Sequence, residues 1–363
     1  MKILKDDTQS LMLRPVGIQD KLYAVVTVFI FFDLINPDAP LKEQELWATI
    51  PALLGDGGIL DQGMSKPRGE VIVKGSCLAP DGKPVRAMSV LLKAGDLYKE
   101  LAFFGDRYWI RNAAGLNTIS EPIPFREMFI SWENAFGGGG YAKNPSGKGI
   151  STVLLKDGSQ AVPLLNIEYP RQLIGLSSDR PEPAGFGPID MMWPQRAKKQ
   201  GSYDQKWLNE RWPCFPADMD YEFFNVAPED QCIRGFFSGG EPIEIVHMHP
   251  DMPVVNSFLP RLRMRCFVTK KTSLKKEKQA EEIFQEVTTR IDTVWLFPSV
   301  LRGVLVFRGS TEILDEEFAD ISNVFLASER TDEPQKPIEK YLEEQKKSLT
   351  VPCQRRPKPA LMM

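Results

Sequence analysis

Apolar and polar positions follow two regimes along this chain. Through the first ~110 residues, apolar runs are short and turn residues separate them, which is the pattern of β structure. Tyr23-Ala-Val-Val-Thr-Val-Phe-Ile-Phe-Phe32 shows no polar alternation, so it predicts a central strand covered on both faces. Residues 70–76 and 86–93 flank Ala79-Pro-Asp-Gly-Lys-Pro84. Asp81-Gly82 with bracketing prolines predicts a hairpin turn that pairs those two strands antiparallel. Leu101-Ala-Phe-Phe104 continues the meander, and Gly105-Asp106-Arg107-Tyr108-Trp109 closes it. Strand patterns return at 241–247, 253–258 and 263–269. A lysine-rich stretch then leads into Ala280, Ile283, Phe284 and Val287, whose spacing marks one face of a helix. A protruding helical insert over 270–290 is therefore expected, with 291–297 and 303–308 as the last strands. From Asp315 the pattern turns helical and then charged, so 331–363 reads as a charged helical or disordered tail.

Between 130 and 231 the periodicity gives way to a dense run of Trp, Phe, Pro and Gly. Ser131-Trp-Glu-Asn-Ala-Phe-Gly-Gly-Gly-Gly-Tyr141 and Trp207-Leu-Asn-Glu-Arg-Trp-Pro-Cys-Phe-Pro-Ala-Asp218 show its character. Regular helices are excluded, because Pro removes a donor and Gly loosens the backbone. Disorder is excluded too, since disordered segments lack large aromatics. Ordered, irregular loops pinned by rings remain, and such loops present surfaces. One short helix is expected over 204–211, capped by Asp204 and stopped by Pro213. The fold class is α+β and mainly β: antiparallel sheets, long ordered Pro/Gly/Trp-rich loops and a few short helices. One large domain is expected over 1–330, β-rich over 1–110, irregular over 111–240 and β-rich again over 241–310.

Composition narrows the function classes. The chain has 363 residues, 42% apolar, enough for a sizeable core. A net charge of −3 argues against a nucleic-acid surface, which shows as a basic excess. No predominantly apolar stretch reaches the ~20 residues that span a bilayer, so no membrane insertion is expected. The start, Met1-Lys-Ile-Leu-Lys-Asp-Asp7, lacks the apolar core of a secretory signal. Five cysteines, at 77, 214, 232, 266 and 353, form no CxxC pair and read as reduced thiols of a cytosolic protein.

Several motifs offer candidate chemistry. The glycines at 137–140 with Gly147-Lys148-Gly149 invite a phosphate loop, but Ala142 and Gly149 stand where that motif needs Gly and Ser or Thr. Turns needing positive φ are the alternative. His247-Met-His249-Pro-Asp251 places three possible ligands at alternate positions, as a metal-dependent hydrolase could use; Pro250 breaks the strand that would align them. No Gly-x-Ser-x-Gly elbow is present. Asp218 and Asp220 suit either an acid/base pair or solvated turn residues. No catalytic residue, metal or cofactor is assigned on these grounds.

At its ring-rich motifs the chain resembles a bacterial family known as domain of unknown function 2169. The resemblance rests on Asp61-Gln-Gly-Met-Ser-Lys-Pro-Arg-Gly-Glu70, Phe104-Gly-Asp-Arg107, Trp132-Glu-Asn-Ala-Phe-Gly-Gly138, Asn144-Pro-Ser-Gly-Lys-Gly149, Arg180-Pro-Glu-Pro-Ala-Gly-Phe-Gly-Pro188, Trp193-Pro-Gln-Arg196 and Phe215-Pro-Ala-Asp218. It spans the chain to about residue 330. Such a resemblance implies a cytoplasmic, non-enzymatic adaptor or chaperone of type VI secretion. An adaptor of that kind binds a toxic effector, often through its PAAR-containing part, and helps load it on the VgrG spike. An immunity-like protein that masks a toxin is the neighbouring reading. Trp193, Arg196, Trp207 and Arg211 are the candidates for partner contact, because Trp and Arg dominate interface hot spots. The stretch 334–347 reads either as a second docking element or as a fraying helix.

Overall fold

The structure is a computed structural model that describes residues 1–54, 64–111, 117–154, 160–272 and 282–350. It is mainly β, with several antiparallel sheets joined by long loops. A five-stranded sheet lies at its centre, in the order Gln9–Ile18, Lys21–Asp33, Arg302–Ile313, Arg290–Phe297, Glu70–Val73. Only the last pairing is parallel. Lys21–Asp33 sits inside this sheet, as its unbroken apolar run predicts. Alternate residues serve opposite layers. Val26, Val28, Ile30 and Phe32 face the main core, while Phe29 and Phe31 face a second cluster with Leu46 and Ile50. Those two come from the helix Glu43–Leu54, which covers that side.

A second five-stranded sheet runs Ile167–Glu168, Leu97–Phe104, Ala87–Ala94, Pro242–Val246, Val254–Phe258, antiparallel throughout. Its Val90, Leu92, Leu101 and Phe103 pack against the central sheet in one continuous apolar core. A third sheet, of four strands, runs Lys2–Leu4, Ile321–Arg330, Leu262–Lys271, Glu282–Val287. Phe267 and Phe325 on its outer face are capped by Tyr341 of the helix Ile338–Thr350.

Three expectations are corrected. Asp81 does turn the chain with φ 56°, but the strands on either side do not pair with each other. Glu70–Val73 joins the central sheet, whereas Ala87–Ala94 pairs with Leu97–Phe104 and Pro242–Val246. The helical insert over 270–290 gives way to the strand Glu282–Val287, laid antiparallel on Leu262–Lys271; residues 273–281 lie outside the described residues. The last strand is not 303–308, because Ile321–Arg330 follows and fills the middle of the third sheet. In each case a long-range partner decided what a local pattern left open.

Candidate interaction surface

The aromatic loops are held by side chains that turn inward. Phe136–Gly137 pairs in parallel with Lys148–Gly149, and the loop between them wraps the buried Asn144. Asn144 Nδ2 donates to the Trp132 carbonyl at 2.8 Å and the Phe136 carbonyl at 3.0 Å. Gly137, Gly138 and Gly140 take φ of 155°, 135° and 84°, so these glycines serve as turn residues. A Cβ at Gly137 would strike the Asn144 carbonyl. Trp132 Nε1 donates to the Pro188 carbonyl at 2.8 Å, and its ring meets Trp193 edge-on at 5.6 Å. Thus four of the resemblance-bearing motifs close on one another.

Beneath these loops lies a set of buried charges. Lys99 Nζ donates to Asp230 Oδ1 and Gln231 Oε1, both at 2.8 Å, and to the Gly185 carbonyl at 2.5 Å. Burial pushes the Lys99 ammonium down to about 8, although Asp230 works against the shift. Tyr169 Oη donates to the other Asp230 oxygen at 2.8 Å. Arg107 pairs with the buried Glu168, whose second oxygen accepts from the Ile174 amide at 2.5 Å. Glu70 pairs with Lys66 and accepts from the amides of Val226 at 2.8 Å and Ala227 at 3.0 Å. Arg308 pairs with Asp292 at 2.5 Å inside the central sheet. A cleft of about 440 Å³ opens above Asp230, lined by Trp132, Tyr169, Glu182 and Gln195 among others.

These ionic residues escaped the sequence reading. Lys66 and Glu70 lay in a motif already singled out, four residues apart, and that spacing was the available signal. Nothing local marks Lys99, because Asp230 stands 131 positions away.

Each partner candidate has a place in the loops, and Arg196, Trp207 and Arg211 donate to backbone carbonyls. Trp193 is buried and precedes the short helix Pro194–Ala197. Arg196 Nη1 and Nε donate to the carbonyls of Ile189 at 2.7 Å and Phe223 at 2.9 Å. Trp207 lies in the helix Gln205–Glu210, which Asp204 caps by accepting from its amide at 2.8 Å. Its Nε1 donates to the Cys214 carbonyl at 2.8 Å. Arg211 Nε donates to the Phe215 carbonyl at 3.0 Å. The four therefore fasten the loop to the body. The side chains beside them point out instead: Met192 is 73% exposed and Trp212 66%, with Lys198 and Leu208 exposed as well.

The other candidate residues lie in turns and at strand ends. His247 starts the turn between two strands of the second sheet, with φ 59° and its Nδ1 2.8 Å from the Ser89 carbonyl. His249 Nδ1 accepts from the amides of Asp251 and Met252, both at 3.1 Å. Among the described residues, no three His, Cys, Asp or Glu side chains converge at a spacing that holds a metal ion. Asp218 accepts from the Ser202 amide and hydroxyl, which hold its carboxyl below the ordinary range. Asp220 caps the turn at Tyr221 by accepting from the Glu222 amide. No helix of the described residues is long and apolar enough to cross a membrane.

Residues 19–308 match DUF2169, described as an uncharacterized protein conserved in bacteria, and the chain belongs to that family. No curated protein and no solved structure matches it.

Proposed function

We propose that this protein is a non-enzymatic adaptor of type VI secretion. In this reading it binds a cytoplasmic effector, through the effector's PAAR-containing part, and helps load it on the VgrG spike. Membership of DUF2169 supports the reading only in that the resemblance to this family is what implies the role. The observation that carries it is the division of labour along the aromatic loops. Trp193, Arg196, Trp207 and Arg211 hold the backbone, while their neighbours stand exposed on a surface set in advance. Preorganised surfaces of this kind lose little entropy when a protein partner docks.

Co-purification tests the proposal directly. The full chain, tagged, would be expressed with the product of the neighbouring effector gene, the PAAR protein and VgrG. A stoichiometric complex is the expected result. Absence of any complex with all three would refute the adaptor reading. A complex that no longer intoxicates target cells after delivery would instead mark an immunity-like protein.

A further inference from the structure

Residues 236–238 and the first residues of the strands Leu262–Lys271 and Arg290–Phe297 line a cavity of about 630 Å³, to which none of the partner candidates contributes. Its walls are tied together. The Phe237 amide donates to the Ile291 carbonyl at 3.2 Å, and the Thr331 amide to the Arg261 carbonyl at 3.0 Å. Thr289 Oγ1 donates to the Met264 carbonyl at 2.6 Å. Much of the lining is apolar, from Phe236 and the buried Leu262, Met264, Ile291 and Phe307.

The charged lining residues are two arginines, with no carboxylate among them. Arg263 Nη1 donates to Glu329 at 3.0 Å, so its charge is already answered. Arg290 differs. It is exposed, its guanidinium lies 4.9 Å from the Phe236 ring centroid, and it has no hydrogen bond or ion pair among the described residues. A guanidinium resting on a ring keeps its fork of N–H donors, which matches a carboxylate in shape and charge. The hydroxyls of Ser238 and Thr331 line the same cavity and also have no side-chain partner among the described residues.

We propose that this cavity binds the C-terminal residue of a partner polypeptide, one with an apolar last side chain. The terminal carboxylate meets the Arg290 fork, the side chain covers Phe236 and Met264, and the last amide meets the Ser238 or Thr331 hydroxyl. A chain terminus carries a carboxylate, an amide and an apolar group on one carbon, and this lining offers a counterpart to each. A simple alkanoate would leave the hydroxyls unused. The site goes beyond the adaptor reading, because Trp193, Arg196, Trp207 and Arg211 take no part in it.

The test uses the full chain and peptides Gly-Ser-Gly-Ser-X labelled with fluorescein at the N-terminus, X being Val, Leu, Ile, Met or Phe, followed by fluorescence anisotropy. Saturable binding of at least one peptide is expected, and its C-terminal amide should bind weaker by about tenfold or more. Arg290→Gln should cost a similar factor, with Arg290→Lys falling between. Lys83→Gln, an exposed cation on another loop, should change nothing. Because Arg290 is exposed, circular dichroism of its variants should match the parent. No saturable binding by any of these peptides, equal binding of acid and amide, or binding indifferent to Arg290→Gln would each overturn the inference. Octanoate that competes as tightly as the peptide would also overturn it, since the site would then belong to a free carboxylate. The two proposals fail separately. Peptide binding at Arg290 without any effector, PAAR or VgrG complex removes the adaptor and leaves the site. An effector complex without peptide binding removes the site and leaves the adaptor.

Discussion

Lys99 Nζ lies 2.8 Å from Asp230 Oδ1, with the lysine sealed under the aromatic loops and the aspartate partly open to the cleft above. Lys99 joins the second sheet both to the loop that carries Gly185 and Phe186 and to the turn at Asp230. Lys99→Met would leave the Gly185 carbonyl and Gln231 Oε1 without their donor, a loss of about 1–3 kcal/mol. The pH dependence has a definite sign. The folded-state value, about 8, lies below the ordinary 10.5, so between these two the unfolded chain binds more protons. The contribution of Lys99 is therefore least favourable below pH 8 and improves towards pH 10.5. Urea midpoints at pH 7.5 and 9.5 should show the parent gaining on Lys99→Met; a constant difference would count against a buried, depressed lysine.

Arg308 and Asp292 are both enclosed by the central sheet. Removing one partner leaves a buried charge alone, which costs about 3–5 kcal/mol. Arg308→Met should therefore destabilise strongly, while Arg308→Met with Asp292→Asn should recover part of the loss. Chemical denaturation of the four proteins gives the coupling energy, and strict additivity would deny the pair its importance.

Gly137 and Gly139 make a matched test of the glycine run. Ala at 137 meets the Asn144 carbonyl and needs positive φ, so Gly137→Ala should cost more than about 2 kcal/mol. Gly139 has no atom within 4 Å of its would-be Cβ, and Gly139→Ala should shift Tm by no more than a degree or two. Equal effects would mean that the loop is not fixed around Asn144.

The helix Ile338–Thr350 depends on Glu329. Burial tends to raise the Glu329 carboxyl, but the Tyr341 hydroxyl at 2.5 Å, the Lys336 amide, Arg263 and Arg265 together hold it below its ordinary 4.5. A depressed carboxylate contributes its full stability above pH 4.5 and loses it as pH falls through the folded-state value. Hydrogen-exchange protection of residues 338–347, corrected for intrinsic rate, should fall progressively as pH is lowered below 4.5. Glu329→Gln should reproduce that drop at neutral pH, and retained protection in both would show that ring packing alone holds the helix.

Pins and presented side chains should separate by stability. Trp193→Ala removes a buried ring and should cost about 3 kcal/mol, whereas Met192→Ala should change Tm very little. Calorimetry distinguishes the two, and a matching loss at both would erase the distinction.

What the chain's pattern disclosed depended on how local the cause was. Lys21–Asp33 was legible because a strand covered on both faces must be apolar at every position. The Asp204 cap was legible because one side chain and one amide make it. Glu282–Val287 misled because Ile283, Phe284 and Val287 fit a helical face as well as a strand, and only Leu262–Lys271, far enough back to pair, selects the strand. Asp81 specified a turn but not which strands it joins. The Trp and Arg candidates were visible as residues of note, yet their direction was not: Trp193 turns in and Met192 out, on consecutive positions of irregular backbone with no period to follow.

Lys2–Leu4 lies parallel to Asn323–Phe325, so an early strand waits for one made much later. At ribosomal speeds of about 5–20 residues per second, roughly 15–65 seconds pass before that partner emerges. Until then the N-terminal strand has no neighbour on its sheet, and Leu262–Lys271 lacks the strand that separates the two. Assembly of the third sheet is thus a late, post-translational event, and a nascent chain stalled short of residue 321 cannot close it.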